Sequence, residues 1–251
     1  MTHEVKIVED KATPIKKEWE DYARKGNWAV KGYEIVRAPA GPGKIEEAKE
    51  AEFMVIYRPH GVLYNHSYGL VSKFFKGLID KKLFGTKCPQ CGTVYCPPRA
   101  HCWNPLCRVA ETEWVELPLR GKVHTFSVML FSADAFLEML PFILSYVQLD
   151  GAHTALPIQI VTAPTDVFVG QEVKIRFREE RKGDLMDIYA VPIGGQAIPE
   201  DSCLHKDPKN IKDLRRDLEG TYAFLERRFG IKKEEVERRW RINISESQAH
   251  T

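Results

Sequence analysis

The stretch "KLFGTKCPQCGTVYCPPRAHCWNPLCRVAE", residues 82–111, contains five of the six cysteines in this chain of 251 residues. Cys88 and Cys91 form a C-x2-C pair that is followed by a glycine, and Cys102 and Cys107 form a C-x4-C pair. Two cysteine pairs at these spacings can surround one metal ion tetrahedrally, with each pair forming a tight turn. The spacing therefore predicts a small metal-folded ribbon whose ligands are Cys88, Cys91, Cys102 and Cys107.

The ligand set and the metal leave alternatives open. Cys96 and His101 lie between the two pairs, and either could replace Cys107 as a ligand. Iron is possible because "CPQCGTVY" reads like the first turn of a rubredoxin, but zinc is favoured because nothing else in the sequence suggests electron transfer. Four thiolates leave no open position for water or substrate, which predicts a structural metal. Cys203 stands alone and is read as a structural or surface thiol.

Composition limits the class of protein. With 43% hydrophobic and 29% charged residues the chain is expected to be globular, and its net charge of +2 predicts no strong overall attraction to nucleic acid or to an anionic membrane. The N-terminus is polar and carries no signal peptide pattern, and no apolar run approaches the roughly 20 residues that span a bilayer. We therefore expect a cytoplasmic protein, in which clustered thiols are reduced and available to a metal.

Short segments that are rich in β-branched and aromatic residues follow the ribbon and predict five strands. Alternation is clearest at Val173, Ile175 and Phe177, with cations at the positions between them. Five strands in so short a span favour the five-stranded OB-fold barrel, with a sandwich as the alternative. The segments are 111–131, 141–151, 153–161, 167–179 and 184–193.

The two ends of the chain differ from this centre. Residues 1–68 read as a mixed helix and strand extension, in which His60 and His66 are more simply solvent-facing than catalytic. Residues 196–251 predict helices, the first with Asn210 as a possible N-cap and Gly230 as its stop. The predicted organisation is therefore mainly β with flanking helices. Its domains are 1–68, a helix plus zinc ribbon over 69–110, the OB-fold barrel over 111–195, and 196–251.

A basic segment precedes and overlaps the ribbon. Residues 69–108 contain seven lysines and arginines and a single acid, Asp80. The segment "GLVSKFFKGLIDKKLFG" (69–85) within this range predicts a helix. A solvated helix face is one interpretation; a site for a phosphorylated ligand or for an acidic partner surface is the other.

Several segments, taken in order, resemble the zinc-ribbon/OB-fold proteins known as domain of unknown function family thirty-five. They are "FFKGLIDKKL", "CPQCGTVYCPPRAHC", "EWVEL", "GKVHTFSV", "LPFILSYVQLDG" and "VGQEVKIRF". The resemblance covers about residues 70–193, and the wide "CWNPLC" departs from the C-x2-C that the family usually has. Proteins of this family commonly form complexes with thiolase-fold or acyl-CoA hydratase-like enzymes. The resemblance therefore implies a non-catalytic accessory subunit that assembles with a thiolase-fold catalytic subunit and helps to bind or channel a coenzyme A thioester. The terminal additions suggest the small subunit of a thiolase for aromatic succinyl-type acyl-CoA esters.

Two other functions compete with this one. OB-folds and zinc ribbons also bind single-stranded nucleic acid, for which the strand with Lys174, Arg176 and Arg178 could supply a basic face and Trp114 or Phe126 a stacking platform. The near-neutral net charge makes nucleic acid the less favoured partner. An electron-transfer protein with iron in the ribbon is the third interpretation.

Overall fold

The computed structural model describes residues 32–40, 49–57 and 67–248. The chain divides into two compact units, residues 1–66 and 67–251. The N-terminal helix predicted for "PIKKEWEDYARK" and the two histidines His60 and His66 lie outside the described residues. The finer domain boundaries stay predictions.

The first unit contains a two-stranded antiparallel sheet. Strand β1 (Gly32–Ala40) pairs with β2 (Lys49–Tyr57) over nine residues, from Gly32 opposite Tyr57 to Ala40 opposite Lys49. The sequence segments "NWAVKGYEIVRA" (27–38) and "EFMVIYR" (52–58) predict two strands in this region, and β1 and β2 confirm them with shifted bounds. Arg37 and Glu52 face each other across the pair and form an exposed ion pair at 3.0 Å.

The ribbon begins with helix α1 (Ser72–Ile79), which follows a 3-10 turn at Gly69–Val71. The prediction that the helix continues to residue 85 is wrong, because the helix ends at Ile79 and a strand begins at Phe84. The chain turns through Lys81, whose φ is +58°, and then enters a strand. Phe74, Phe75 and Leu78 are predicted as the apolar face of this helix; Phe74 and Leu78 are buried, and Phe75 is half-buried.

A three-stranded antiparallel sheet follows the helix. Strand β3 (Phe84–Lys87) pairs on one side with β4 (Val94–Tyr95) and on the other with β5 (Glu113–Glu116). The prediction that residues 111–131 form one barrel strand is therefore wrong in its first part, because "EWVE" completes the ribbon sheet instead. β5 pairs with β3 across more than twenty intervening residues, and the residue pattern within "EWVE" does not indicate which strand it will pair with.

Five strands follow the ribbon: β6 (Arg120–Met129), β7 (Phe142–Leu149), β8 (Ala155–Ile160), β9 (Glu172–Phe177) and β10 (Ile188–Pro192). They form a closed barrel in the order β10-β8-β7-β6-β9, which confirms the OB-fold and excludes the sandwich. Its only parallel pair joins β8 to β10, and its other pairs are antiparallel. Val173 and Ile175 are buried and Lys174 between them is exposed, as the alternation predicts, whereas Arg176 and Phe177 are both half-buried.

Two helices, α2 (Pro208–Phe229) and α3 (Lys233–Gln248), form the C-terminal segment. The N-cap is Asp207 and not Asn210: its carboxylate accepts a hydrogen bond from the backbone N–H of Lys209 at 2.8 Å, and Pro208 takes the first helical position. Gly230, with φ +72°, ends α2 as predicted. Across residues 32–40, 49–57 and 67–248, the structure contains no helix with the length and hydrophobicity needed to cross a membrane.

The apolar stripe of α2 packs against the connection between β6 and β7. Leu218 and Leu225 share a buried cluster with Leu140 of that connection and with Val236 of α3. The stripe is therefore part of a second core beside the barrel core.

Candidate metal centre

The four thiols predicted as ligands lie together. Their Sγ atoms are all within 4.8 Å of one another, and those of Cys91 and Cys102 are 3.7 Å apart. Zinc bonds thiolates at about 2.3 Å, so that a tetrahedral ion holds its sulfurs roughly 3.8 Å apart. The group thus has the size and the donor chemistry of a structural zinc site. Cys88, Cys102 and Cys107 are buried, whereas Cys91 is exposed.

Each cysteine pair lies on a turn with a left-handed residue directly after its second cysteine. In the first turn Gly92 has φ +74° and donates its N–H to the Cys88 carbonyl at 3.0 Å. In the second turn Arg108 takes this position with φ +48°. The two extra residues of C-x4-C are accommodated by a 3-10 turn at Pro105–Cys107, which the Asn104 side chain caps by accepting from Leu106 N–H at 3.0 Å.

The alternative ligands lie outside the thiol group. Cys96 is fully buried in the core that the ribbon shares with the barrel, and this burial raises the pKa of its thiol to about 12. His101 is exposed and pairs with Glu111 through an isolated β-bridge. Cys203 is an exposed free thiol.

The thiols differ in their surroundings. Hydrogen bonds with the side chain and the backbone of Thr93 lower the pKa of Cys91 to about 6. Burial, together with hydrogen bonds to the other thiols, raises the pKa of Cys107 to about 12. The Tyr95 hydroxyl lies 3.1 Å from Cys102 Sγ and is fully buried. The sequence analysis missed this contact, because the dipeptide Val94–Tyr95 predicts at most a short strand and does not indicate that the Tyr95 hydroxyl reaches Cys102.

The ribbon is tied to the barrel by the loop that precedes β8. The Thr154 hydroxyl accepts from Cys96 N–H at 2.7 Å and donates to the Cys96 carbonyl at 2.9 Å. His153 makes a similar pair of hydrogen bonds with Val94. Its ring Nδ1 accepts from the Val94 backbone N–H at 3.0 Å, and its backbone N–H donates to the Val94 carbonyl at 2.9 Å. Leu83 of the ribbon is buried in the barrel's own hydrophobic cluster. The ribbon and the barrel therefore share one core.

The basic segment presents its cations to solvent. The Lys73 ammonium lies 4.8 Å from the centre of the Phe84 ring and 5.5 Å from that of Trp114, a cation–π arrangement. A cleft of about 200 Å³ opens beside it, lined in part by Leu70, Trp114 and His101. The other cations of the segment are also exposed: Lys76, Lys81, Lys82, Lys87, Arg99 and Arg108.

Comparison with known proteins matches both modules. Residues 75–113 match the family model "ChsH2, rubredoxin-like zinc ribbon domain", and residues 114–178 match "ChsH2, C-terminal OB-fold domain". Among solved structures, the chain is similar to the "Ltp2-ChsH2(DUF35) aldolase", with 22% identity and a TM-score of 0.41, covering 48% of this chain and 92% of that one. It is also similar to a DUF35 family protein of unknown function from Sulfolobus solfataricus, with 19% identity and a TM-score of 0.38, covering 50% and 87%.

Two curated relatives are closer in sequence. A "DUF35 domain-containing scaffold protein" of Methanocaldococcus jannaschii is 35% identical over 98 residues, which are 38% of this chain and 67% of the relative. A protein with the same description from Methanothermobacter thermautotrophicus is 33% identical over 102 residues, or 40% and 74% of the two chains. Together with the ribbon and the closed barrel, these matches show that the chain belongs to the DUF35 family.

Proposed function

We propose that this chain is a non-catalytic accessory subunit of a thiolase-type acyl-CoA enzyme complex, where it supports assembly and the binding or channelling of the acyl-CoA. The single observation that carries the proposal is the similarity to two relatives described as scaffold proteins, at 35% and 33% identity. The fold is suited to this role, because a barrel and a metal-held ribbon that share one core present a rigid surface to a partner. The catalytic residues then belong to the partner.

We assign the metal to Cys88, Cys91, Cys102 and Cys107. Zinc at this site would fix the two turns and stabilise the folded ribbon, since such modules have too small a core to fold alone. With four thiolate ligands the ion keeps no open position, so its part is structural. The chain's own residues would bind it as thiolates and shield it from solvent on the side of the buried Cys88, Cys102 and Cys107.

We assign contact with coenzyme A to residues 73–87, the first part of the basic segment. Its exposed lysines can pair with phosphates, and the Lys73 ammonium is held beside the Phe84 and Trp114 rings. An aromatic succinyl-type acyl group is the substrate that the terminal extensions suggest.

Binding of single-stranded nucleic acid is the weaker alternative. Arg178 on the barrel surface stacks its guanidinium 5.1 Å from the Tyr189 ring, which is the kind of pair that receives a base. Two of its five N–H donors are, however, already engaged: one donates to the Met186 carbonyl at 2.7 Å and one to the Gln159 side chain at 3.0 Å, which fixes the guanidinium within the chain. Trp114 is half-buried against Phe84, so it offers little free ring surface.

The test is an affinity purification of the tagged chain from its own host at low salt, with the co-purifying proteins identified and their thiolytic activity assayed. A stoichiometric thiolase-type chain, whose activity falls when this subunit is removed, is the expected result. Recovery of the chain alone, or with nucleic acid, would contradict the proposal.

A further inference from the structure

The second cysteine turn carries three large apolar side chains that point into solvent. Trp103, Leu106 and Val109 are 66%, 87% and 66% exposed, although Cys102 and Cys107 within the same turn are buried. We call these three residues the apolar tip. The arrangement follows from the wide C-x4-C spacing, because the cysteines must face the metal and the residues between and after them then face outward.

The backbone of the tip is held in a conformation that its sequence disfavours. Arg108 and Val109 both have positive φ, +48° and +59°. A β-branched residue with positive φ is strongly disfavoured, because its side chain crowds the backbone. Strained residues of this kind concentrate at functional sites and persist only when the surrounding structure imposes them. Here the cysteine turn, the Asn104 cap and the hydrogen bond from Cys102 N–H to the Ala110 carbonyl at 2.9 Å impose it.

The charge around the tip selects its partner. Residues 81–110, which contain both cysteine turns, have five cations and no acid, and the ribbon's acids Glu111, Glu113 and Glu116 follow at its last strand, so that residues 81–116 have a net charge of +2. All five cations are exposed: Lys81, Lys82, Lys87, Arg99 and Arg108. A symmetric contact between two copies would bring these like charges together, which disfavours a second copy of this chain. A protein surface with an apolar pocket and a rim of Asp and Glu complements both features.

We infer that the apolar tip is the specificity-determining contact of this chain with its enzyme partner, inserting into an apolar pocket with an acidic rim. The inference rests on the proposed function and adds the docking surface to it. Trp is among the residues that dominate binding energy at interfaces, and a tip that is rigid before binding loses little conformational entropy when it docks.

The test uses the enzyme that co-purifies with the wild-type chain, separated from it. The affinity of this enzyme for the variants Trp103→Ala, Leu106→Ser and Arg108→Glu is measured, together with the rates of association and dissociation. Phe131→Ala is the matched control, since Phe131 is a large apolar residue that is 79% exposed on the β6–β7 connection. Unchanged zinc content and thermal midpoint show that each variant is folded. Trp103→Ala and Leu106→Ser are expected to weaken binding by about 30-fold or more through faster dissociation, and Arg108→Glu to slow association. Phe131→Ala should bind as the wild type does.

Several outcomes would overturn the inference. If the tip variants bind the thiolase-type partner as tightly as the wild type, the docking surface is elsewhere and the proposed function stands. If the wild type recovers no such partner, both fail. If the tip variants instead abolish binding to single-stranded oligonucleotides, binding to vesicles that contain anionic lipid, or a dimer of the chain seen by light scattering, the occupant is a nucleic acid, a membrane or a second copy.

Discussion

Replacing Thr154 by valine removes the hydroxyl that joins the barrel to the ribbon and keeps the shape of the side chain. In the wild type this hydroxyl accepts from Cys96 N–H at 2.7 Å and donates to the Cys96 carbonyl at 2.9 Å. Cys96 is fully buried, so water cannot replace either bond without opening the core. The substitution leaves one backbone donor and one backbone acceptor without partners.

The expected loss follows from these two groups. A buried donor or acceptor that loses its partner costs about 1–3 kcal/mol, so the pair should cost about 3 kcal/mol of unfolding free energy. For a unit of this size that loss corresponds to a fall of about 6–12 °C in the thermal midpoint. Because the ribbon and the barrel share one core, we expect a single transition whose midpoint moves as a whole.

The assay is urea unfolding of the zinc-loaded chain, followed by tryptophan fluorescence and by circular dichroism. Thr125→Val is the control, because Thr125 is exposed on β6 and its replacement should change stability by no more than about 0.5 kcal/mol. A loss below about 0.5 kcal/mol for Thr154→Val would refute the reasoning. So would separate transitions for the two probes in the wild-type chain, since the ribbon and the barrel would then unfold independently.

Three further predictions concern the barrel, the metal and the surface charges. Gly121→Ala should lower the free energy of unfolding in urea by about 3 kcal/mol, because the new Cβ would lie 2.3 Å from the Gln148 carbonyl oxygen. Its control is Gly220→Ala in helix α2, where the new Cβ meets open space, and this variant should raise the free energy of unfolding by about 0.5–1 kcal/mol. A zinc chelator should remove about one metal ion per chain, detected by elemental analysis, and lower the thermal midpoint; acid should do the same, because thiolates must be protonated to release the ion. Arg120, through a hydrogen bond and its charge, holds the pKa of Glu172 below the ordinary 4.5, so this pair contributes stability at neutral pH that is lost as the pH falls through the lowered pKa. Glu172→Gln should therefore be less stable than the wild type at pH 7 and equal to it near pH 2, measured by thermal unfolding.

What the sequence could predict was local in character. The cysteine spacing placed Cys88, Cys91, Cys102 and Cys107 in one group, because each pair is a single turn of backbone. Alternation in β9 gave the buried face of a barrel strand, because successive side chains of a strand point to opposite faces. Gly230 was found as a helix stop because a left-handed position there favours glycine.

What it could not predict depends on contacts between distant residues. "EWVE" has the composition of a barrel strand, and only its pairing with β3 assigns it to the ribbon. Thr154 and Cys96 are 58 residues apart, and no pattern near either one indicates their hydrogen bonds. The N-cap of α2 is a local exception: Asp207 and Asn210 are both good caps by residue type, and the sequence itself favours Asp207, because Pro208 directly after it suits the first helical position.

The C-terminal helices bear on the choice between a protein partner and a nucleic acid. In OB-folds the loop between the first two barrel strands helps to frame the face that binds oligonucleotides. In this chain that loop is the β6–β7 connection, and it packs against the chain's own helices: Leu140 shares a buried cluster with Leu218 and Leu225, and Arg239 of α3 donates to the Glu138 carbonyl at 2.8 Å. The helices thus occupy one side of the region that an oligonucleotide would use. The apolar tip lies instead on the ribbon, whose exposed cations and strained turn fit the docking of an acidic protein surface.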